Sequence, residues 1–513
     1  TLDDALAKNI SYWKREIASQ LNDEPKLPQY AALFNAIIFS RAAEDYARRH
    51  NLTSGKTLLD ELHKETNAHV SLVRVIEHSL RHFISGTLPE ELFEAKKLKI
   101  FDKLKRNDIE HLLSTFYRSD HIPYQYDFAI MSKHALSRIY EHYVSILSFD
   151  EEGQLPLLPL FPKESYSRSH GSVYTPQFIA RFFAKYLYEQ IPPSIFRKTR
   201  VLDPACGSGI FLRTVLEMKV SPTYNGVSSD DINSAFENIA GIDSDENASR
   251  ATKLSLSLLY LVLMNGKLPQ RLNIINASAL DVLSGSEEIK ERFDVVIANP
   301  PFVPYDYQNS ETRKRIAEFM GNLSSGKADT HPAFLKVALD ALKDGGYGLF
   351  VLPHSFLRTN SASKVRHFVQ NNAWIRCVVD LSAIPVFGGK GVYVILLIFQ
   401  KKPITSRGDA MPLPATIIEC RDHVGDALED YFAGKKIESS IYSIYEVEQD
   451  TFAEHEWVFT RPKEASLNRK MKRLKHISEY LDVKQGLLSG ADNIFLIAKS
   501  SIPKGEESIW KPL

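Results

Sequence analysis

Asp203-Pro-Ala-Cys-Gly-Ser-Gly209 joins an apolar stretch that ends at Leu202 to a helix-like stretch that contains Phe211 and Leu212. Glycines at such a turn let the backbone come close to a ligand, and open α/β sheets bind ligands at the carboxyl ends of their strands. A Gly-x-Gly pair alone is also compatible with a tight turn that binds nothing. The segment therefore predicts a strand, a turn and a helix in that order, with the turn as a candidate ligand site.

Apolar, β-branched runs alternate with helical stretches around this turn, which predicts a doubly wound α/β sheet. Only a short region around Gly388-Gly389 separates the last two runs, so there is no room for a crossover helix. We therefore expect the final strand to return antiparallel. The predicted strands are Arg200–Leu202, Ile239–Ile242, Leu272–Ile275, Phe293–Ala298, Gly348–Leu352, Ile375–Val379 and Val392–Ile398.

The chain divides into three predicted domains. Residues 1–164 form a helical domain, because apolar residues recur at helical spacing in stretches such as Tyr30–Phe39, and the proline-rich stretch Leu155–Pro162 ends it. Residues 165–464 form the α/β domain, and 465–513 resemble the start of a further domain. Because the chain begins without methionine and stops soon after this last segment starts, we expect it to be a piece of a longer protein.

Composition excludes several classes of protein. The 513 residues contain 63 Lys+Arg and 63 Asp+Glu, so a nucleic-acid surface would have to come from local clustering of charge. Cys206, Cys377 and Cys420 are too few and too scattered for a disulfide framework or a zinc cluster. No long apolar run or signal-peptide pattern is present. We expect a cytoplasmic protein without a metal and without a membrane partner.

An acidic residue follows the second predicted strand. Gly241-Ile-Asp243 places a carboxylate where it can accept hydrogen bonds from the hydroxyls of a ribose. Asp245 is a competing candidate, but the helix-like stretch Glu246–Leu254 follows it and favours an N-cap role. Asp243 is therefore our preferred sugar ligand.

Asn299-Pro-Pro-Phe302 directly follows the apolar run Phe293–Ala298. A Pro-Pro pair can simply end a strand. At this position, however, an amide, two prolines and an aromatic ring predict a rigid slot with acceptors at one edge and a stacking face beside it. Such a slot suits a planar base with an amine. Adenine is such a base. Oxygens of the Asn299 side chain and the Pro300 carbonyl would stabilise the positive charge that develops on the adenine amine when it attacks an electrophile.

The order of these motifs resembles the gamma group of N6-adenine DNA methyltransferases, and especially the methylase parts of type I and combined type II restriction-modification proteins. The resemblance covers residues 165–400. It implies an α/β class I S-adenosylmethionine-dependent methyltransferase fold, with a seven-stranded doubly wound sheet and a reversed last hairpin, preceded by an all-helical domain. It also implies direct in-line transfer of a methyl group from S-adenosylmethionine to the N6 amine of an adenine flipped out of double-stranded DNA.

The resemblance also implies roles for individual residues. The slot for the flipped adenine comprises Asn299, Pro300, Pro301 and Phe302, with Phe387 of Ile384–Phe387 as the ring that stacks on the base. Lys390 is expected to contact DNA because the stacking loop must lie near the backbone of the flipped nucleotide. The implied cofactor-binding residues are Tyr174, Thr175, Pro176, Asp203, Pro204, Ala205, Cys206, Gly207, Gly209, Phe211, Asp243, Ser278 and Asn299.

Ser278 marks a departure from the family pattern, which usually has an acidic residue after the third strand to bind the cofactor's adenine. A hydroxyl can accept the same hydrogen bond more weakly. Asp281 lies farther along the chain. We therefore expect an intact cofactor site with reduced affinity.

Other interpretations stay open. Basic clusters at Lys96–Arg106 and Arg469–Lys475 are compatible with DNA contacts or with solvated helix faces. A protein glutamine N-methyltransferase would use a similar slot, and a catalytically silent DNA-binding or assembly subunit would keep the loop as scaffold. The helical domain, the segment 465–513, which resembles a target-recognition domain, and the phenylalanine of the slot favour a DNA methyltransferase, with a specificity or nuclease domain or subunit as a further partner.

Overall fold

The computed structural model describes residues 2–49, 57–65, 70–84, 88, 93–118, 125–126, 128, 175–221, 227–264, 267–284, 291–324, 327–387, 392–403, 413–461, 464, 470 and 474. The chain up to Phe459 is one compact unit, and a second unit begins at Thr460. The first unit is described below. No helix among the described residues is long and apolar enough to cross a membrane.

The described elements before residue 119 are helical. Trp13, Phe34, Phe101 and Phe116 are among their fully buried side chains. The buried guanidinium of Arg41 pairs with carboxylates on its own helix, which offsets the cost of burying its charge. The helices are α1 (Leu2–Gln20), α2 (Leu27–Arg49), α3 (Leu58–Lys64), α4 (Leu72–Phe83), α5 (Ala95–Leu98), a 3-10 turn (Lys99–Lys103) and α6 (Arg106–Ser114).

A mixed sheet follows, with strand order β3-β2-β1-β4-β5-β7-β6-β8-β10-β9. Strands β1 to β5 run parallel, and β7 is antiparallel to both β5 and β6, so the predicted reversed hairpin is confirmed. The strands are β1 (Val201–Asp203), β2 (Ile239–Asp243), β3 (Ile274–Asn276), β4 (Phe293–Ala298), β5 (Leu342–Pro353), β6 (Ala373–Asp380), β7 (Val394–Lys401), β8 (Ala415–Cys420), β9 (Ile437–Glu438) and β10 (Tyr442–Val447).

The sheet is wider than the seven strands that the sequence predicts, because β8, β10 and β9 extend it beyond β6. Strand β8 pairs parallel to β6, and β10 pairs antiparallel to β8. These added strands lie at the edge of the sheet and mix buried with partly exposed positions, so their apolar runs are shorter than those of the central strands.

Helices cover both faces of the sheet. Val295 and Ile297 of β4 pack in one hydrophobic cluster, whereas Val296 and Ala298 pack in the cluster on the other face. The helices are α7 (Gln177–Gln190), α8 (Pro193–Phe196), α9 (Ile210–Lys219), α10 (Ser229–Glu237), α11 (Glu246–Leu263), α12 (Ala279–Ser284), α13 (Ser310–Met320), α14 (His331–Ala341), α15 (Ser363–Asn372) and α16 (Val424–Phe432). Because β1 pairs parallel to both β2 and β4, the carboxyl ends of these three strands lie at one edge of the sheet.

Helix α11 connects the sheet to the amino-terminal helices. Its residues Ala251, Leu258 and Leu261 belong to the same hydrophobic cluster as the buried residues of α1 to α6. The Arg250 guanidinium also contacts the carboxylate of Glu94. The helical part is therefore packed directly on the helix that follows Asp243.

Candidate functional site

The predicted glycine turn follows β1 and leads into α9. Gly207 and Gly209 have φ angles of +53° and +81°, a region that favours glycine. A side chain on Gly209 would collide with Thr252 of α11, at 2.8 Å, whereas one on Gly207 would meet open space. The turn thus needs glycine at both positions, and its backbone at Gly207 is accessible to a ligand.

Thr252 is a contributor to this turn that the sequence analysis missed. Its hydroxyl donates to the Gly207 carbonyl at 2.7 Å and approaches the Cys206 sulfur at 3.7 Å. Burial, with the nearby carboxylates Asp203 and Asp243, raises the pKa of the Cys206 thiol well above its usual range. Cys206 is therefore a neutral packing group, and α11 fixes the turn from behind.

Asp203 ends β1 and is completely buried. One carboxylate oxygen accepts from the Ala205 amide at 3.1 Å, and the other has no hydrogen-bond partner among the described residues. Burial, and to a smaller extent the charge of Asp243, raises the pKa of Asp203 well above its usual value. A buried carboxylate with an unused oxygen is a suitable acceptor for a cationic ligand group.

Asp243 ends β2, where the sequence places the sugar ligand. Its carboxylate accepts from the amides of Gly207, at 2.8 Å, and Asp245, at 2.9 Å. Burial raises its pKa. Asp245 is exposed and caps α11 by accepting from the Asn247 amide at 2.8 Å. The N-cap interpretation of Asp245 is therefore confirmed, and Asp243 is the acid that faces the turn.

Ser278 lies next to the same edge, directly before α12, and is partly buried. Its carbonyl accepts from the amides of Asp281 and Val282, both at 3.1 Å, so it starts that helix. The Asp281 side chain instead pairs with Arg315 at 3.0 Å. Asp281 is thus engaged elsewhere, and Ser278 remains the candidate at this position.

Asn299 follows β4 and lies beside a residue from a distant part of the chain. Its side-chain nitrogen donates to the Thr175 hydroxyl at 3.0 Å. Thr175 is 6% exposed and precedes α7. The structure thereby brings together the Thr175-Pro176 and Asn299–Phe302 segments, which the sequence analysis assigned to cofactor and base.

The residues before α14 hold the Asn299–Phe302 segment in place, a role that the sequence analysis missed. The Thr330 hydroxyl donates to the Pro301 carbonyl and accepts from the Val303 amide at 3.1 Å. Asp329 accepts from the Tyr305 amide at 3.0 Å. Because the Pro301 carbonyl is used in this way, Pro300 is the candidate for the second acceptor of the slot.

Aromatic rings line this segment. Phe302 is partly buried and packs edge-on against His331, with ring centroids 6.0 Å apart. Both ring nitrogens of His331 lack a hydrogen-bond partner among the described residues, and burial lowers its pKa to about 3. Phe387 is only 9% exposed and belongs to the cluster against which Phe302 packs. Its predicted stacking face is therefore mostly covered here.

Four further residues are predicted to bind the cofactor or DNA: Phe211, Pro204, Tyr174 and Lys390. Phe211 is buried against Phe183 of α7, with ring centroids 5.7 Å apart, so its ring lies in the core. Pro204 is buried in the turn. Tyr174 and Lys390 lie outside the described residues.

The basic cluster Lys96–Arg106 is described, and several of its cations have partners within the helical part. Lys97 pairs with Glu94 at 2.7 Å, and Lys103 pairs with Asp23 at 3.2 Å. Most of Arg469–Lys475 lies outside the described residues.

Comparison with known proteins gives a consistent result. The family described as N-6 DNA Methylase matches residues 157–419, which is more than half of the chain. The type II restriction enzyme and methyltransferase RM.Eco57I of Escherichia coli is 24% identical over 78% of this chain and 44% of its own length. The type II methyltransferase M.BanIII of Aneurinibacillus aneurinilyticus is 24% identical over 67% of this chain and 63% of its own.

Among solved structures, a protein described as the modification subunit of a type I restriction enzyme from Vibrio vulnificus YJ016 aligns with a TM-score of 0.54 at 14% identity. The alignment covers 86% of this chain and 92% of that one. This likeness shows the fold. The chain spans 44% of the length of RM.Eco57I and 63% of the length of M.BanIII.

Proposed function

The chain belongs to the N-6 DNA methylase family, and from this premise we propose that it transfers the methyl group of S-adenosylmethionine to the N6 amine of adenine at a specific site in DNA. One observation supports this assignment above the others. The Asn299–Phe302 segment follows β4 at the sheet edge where the glycine turn follows β1, and its amide contacts Thr175. A slot with acceptors thus lies beside a nucleoside-binding turn.

The residues present fit S-adenosylmethionine. Its ammonium group would pair with the buried Asp203 oxygen that has no hydrogen-bond partner among the described residues. Its ribose would bind Asp243, whose carboxylate has lone pairs beyond the hydrogen bonds that it accepts from two amides. The open space at Gly207 allows a ligand to approach the backbone. Ser278 would accept a hydrogen bond from the cofactor's adenine, with a hydroxyl in place of the usual carboxylate. When bound, this cofactor supplies a methyl group activated by a sulfonium.

The protein's part in the reaction is to orient the amine and to stabilise charge. Oxygens of Asn299 and Pro300 would accept hydrogen bonds from the N6 amine and stabilise its developing positive charge. The nitrogen–methyl bond forms as the sulfonium–methyl bond breaks to leave a thioether, and the methylated amine then releases a proton to solvent. Phe302 and Phe387 flank the base by stacking. Phe387 must move or be uncovered for this, since it is mostly buried in the structure.

We further propose that the protein acts within a restriction-modification system, as the names of its relatives suggest. Residues 1–164 would serve as the helical domain, 165–464 as the catalytic domain and 465–513 as the start of a target-recognition domain. Lys390 would contact the DNA backbone, and a specificity or nuclease domain or subunit would be a further partner.

Transfer of tritium from labelled S-adenosylmethionine tests the proposal. Unmethylated genomic DNA is incubated with the protein and digested to nucleosides. We expect label in N6-methyldeoxyadenosine, and Asn299→Ala is the inactive control. Label in protein glutamine would favour a protein methyltransferase. No label in any acceptor, with cofactor binding retained, would favour a silent assembly subunit.

A further inference from the structure

The hydrogen bond between Thr175 and Asn299 joins the two halves of the site. The Asn299 side-chain nitrogen donates to the Thr175 hydroxyl at 3.0 Å, and the Thr175 side chain is almost fully buried. The family resemblance implies that Thr175 binds the cofactor, yet in the structure Thr175 contacts Asn299, the residue proposed to bind the base.

Thr175 is held firmly. Pro176 follows it and restricts its backbone to extended conformations. Helix α7 begins at Gln177 and is packed into the core through residues such as Ile179 and Phe183. The hydroxyl is thus presented from a fixed element, as a group that orients another side chain requires.

The orientation of the Asn299 amide decides whether the slot can work. One end of the amide accepts hydrogen bonds, and the other end donates them. An amine that attacks a methyl group must face a hydrogen-bond acceptor. A donor group there would point its hydrogens at the hydrogens of the amine and at the positive charge that develops on it. In the structure the nitrogen end of the Asn299 amide lies on the Thr175 hydroxyl, so the oxygen end points away from Thr175.

We propose that Thr175 is a positioning residue: its hydroxyl accepts from the Asn299 side-chain nitrogen and holds this side chain in place at the slot. This inference rests on the proposed function. A positioning role differs from a role in cofactor binding. Loss of positioning should affect the methyl-transfer rate and recognition of the target amine, and not the affinity for the cofactor.

Thr175→Val tests the inference, because valine keeps the shape but neither accepts nor donates a hydrogen bond. We expect the single-turnover rate of methyl transfer to fall by roughly 10-fold, with the Kd for cofactor changed by less than about threefold. Thr175→Ser should restore the rate to within about threefold of the wild type. Thr199→Val is the matched control, since Thr199 is also buried and its hydroxyl donates to the nearby Phe196 carbonyl at 2.7 Å.

A binding measurement separates positioning from a general structural effect. With the unreactive analogue sinefungin bound, the wild type should prefer duplexes that carry adenine at the methylated position over duplexes that carry purine, which lacks the amine. Thr175→Val should narrow this ratio of Kd values, and Thr199→Val should leave it unchanged. Thr175→Ala serves if the valine variant unfolds at a lower temperature than the wild type.

The possible outcomes distinguish failure of the proposed function from failure of the inference about Thr175. A full-length wild-type protein that methylates no adenine overturns the proposed function itself. If the wild type is active, then an unchanged rate and an unchanged adenine-to-purine ratio in both Thr175 variants overturn the inference. A loss of cofactor affinity as large as the loss of rate also overturns it, since Thr175 would then be a cofactor ligand.

Discussion

The backbone amide of Gly207 donates to the carboxylate of Asp243 at 2.8 Å, so the acid that ends β2 holds the glycine turn that follows β1. The same carboxylate accepts from the amide of Asp245 at 2.9 Å, just before α11. Asp243 therefore has a structural task before any ligand binds. Since a carboxylate offers about four lone-pair positions, it can hold the turn and still accept from ribose hydroxyls.

Replacement of Asp243 with Ala should weaken cofactor binding by about 1–3 kcal/mol or more, because the ribose loses its acceptor and the turn loses its tether. Asp245→Ala should instead lower the free energy of unfolding by about 1 kcal/mol through loss of the helix cap, with little effect on cofactor affinity. Isothermal titration and thermal unfolding measure both quantities. A larger loss of affinity in Asp245→Ala would contradict the assignment of the sugar ligand.

Asn299→Ala should reduce methyl transfer by about two to three orders of magnitude, because the amine loses an acceptor aimed at its developing charge. Cofactor affinity should stay nearly unchanged. Rates come from labelled transfer to DNA, and affinities come from titration. Asn372→Ala is the matched control, since Asn372 is exposed and its side-chain amide donates to the Phe368 carbonyl of its own helix. Equal loss of cofactor affinity in Asn299→Ala would refute the division of roles.

Phe387→Leu should slow turnover on duplex DNA, since stacking on a flipped base contributes about 1–3 kcal/mol. Leucine is preferable to alanine because Phe387 is 9% exposed, and truncation to alanine would cost about 3–5 kcal/mol of stability. The rate on a mismatched adenine, which is easier to extrude, should fall less. Phe196→Leu, at a fully buried position on α8, controls for loss of packing. Equal rates for wild type and Phe387→Leu on duplex DNA would remove Phe387 from the site.

Cofactor affinity should depend on pH through Asp203. Burial raises the pKa of Asp203 in the free protein, so this carboxyl keeps its proton above the usual range. An ammonium group binds best to the charged form, so binding releases the proton. Affinity should therefore rise with pH through the raised pKa and then level off. The Asp203→Asn variant should bind the cofactor more weakly, and its cofactor affinity should not depend on pH in this way. Calorimetric titrations in buffers of different ionisation enthalpy measure the proton release. If no proton is released on binding, Asp203 does not contact the ammonium.

His331 should make the protein sensitive to acid. Burial lowers the pKa of His331 from 6.5 to about 3, so the unfolded chain binds a proton that the folded protein excludes. Stability from this group is complete above pH 6.5 and falls by up to about 1.4 kcal/mol per pH unit on acidification toward pH 3. His331→Leu should flatten this part of the stability profile, and replacement of the exposed His367 by Gln should not. Parallel profiles for wild type and His331→Leu would contradict the assignment.

Most of the fold follows from the order of residues along the chain. The apolar runs predict β1 to β7, because central parallel strands are buried on both faces and need continuous apolar sequence. The short region around Gly388-Gly389 predicts the reversed hairpin, because a crossover needs many more residues. The outer strands β8 to β10 escape prediction because edge strands mix polar and apolar positions.

The site is divided in the same way. Asp203–Gly209 and Asn299–Phe302 are recognisable in the sequence because their chemistry depends on neighbouring residues within one turn. Only the tertiary structure places Thr175 against Asn299, Thr252 behind Gly207 and Thr330 on the Pro301 carbonyl. These contacts join segments that are far apart in the chain, and no local propensity specifies them. They depend on which strand ends meet at one edge of the sheet, and strand order is decided by packing of the whole domain.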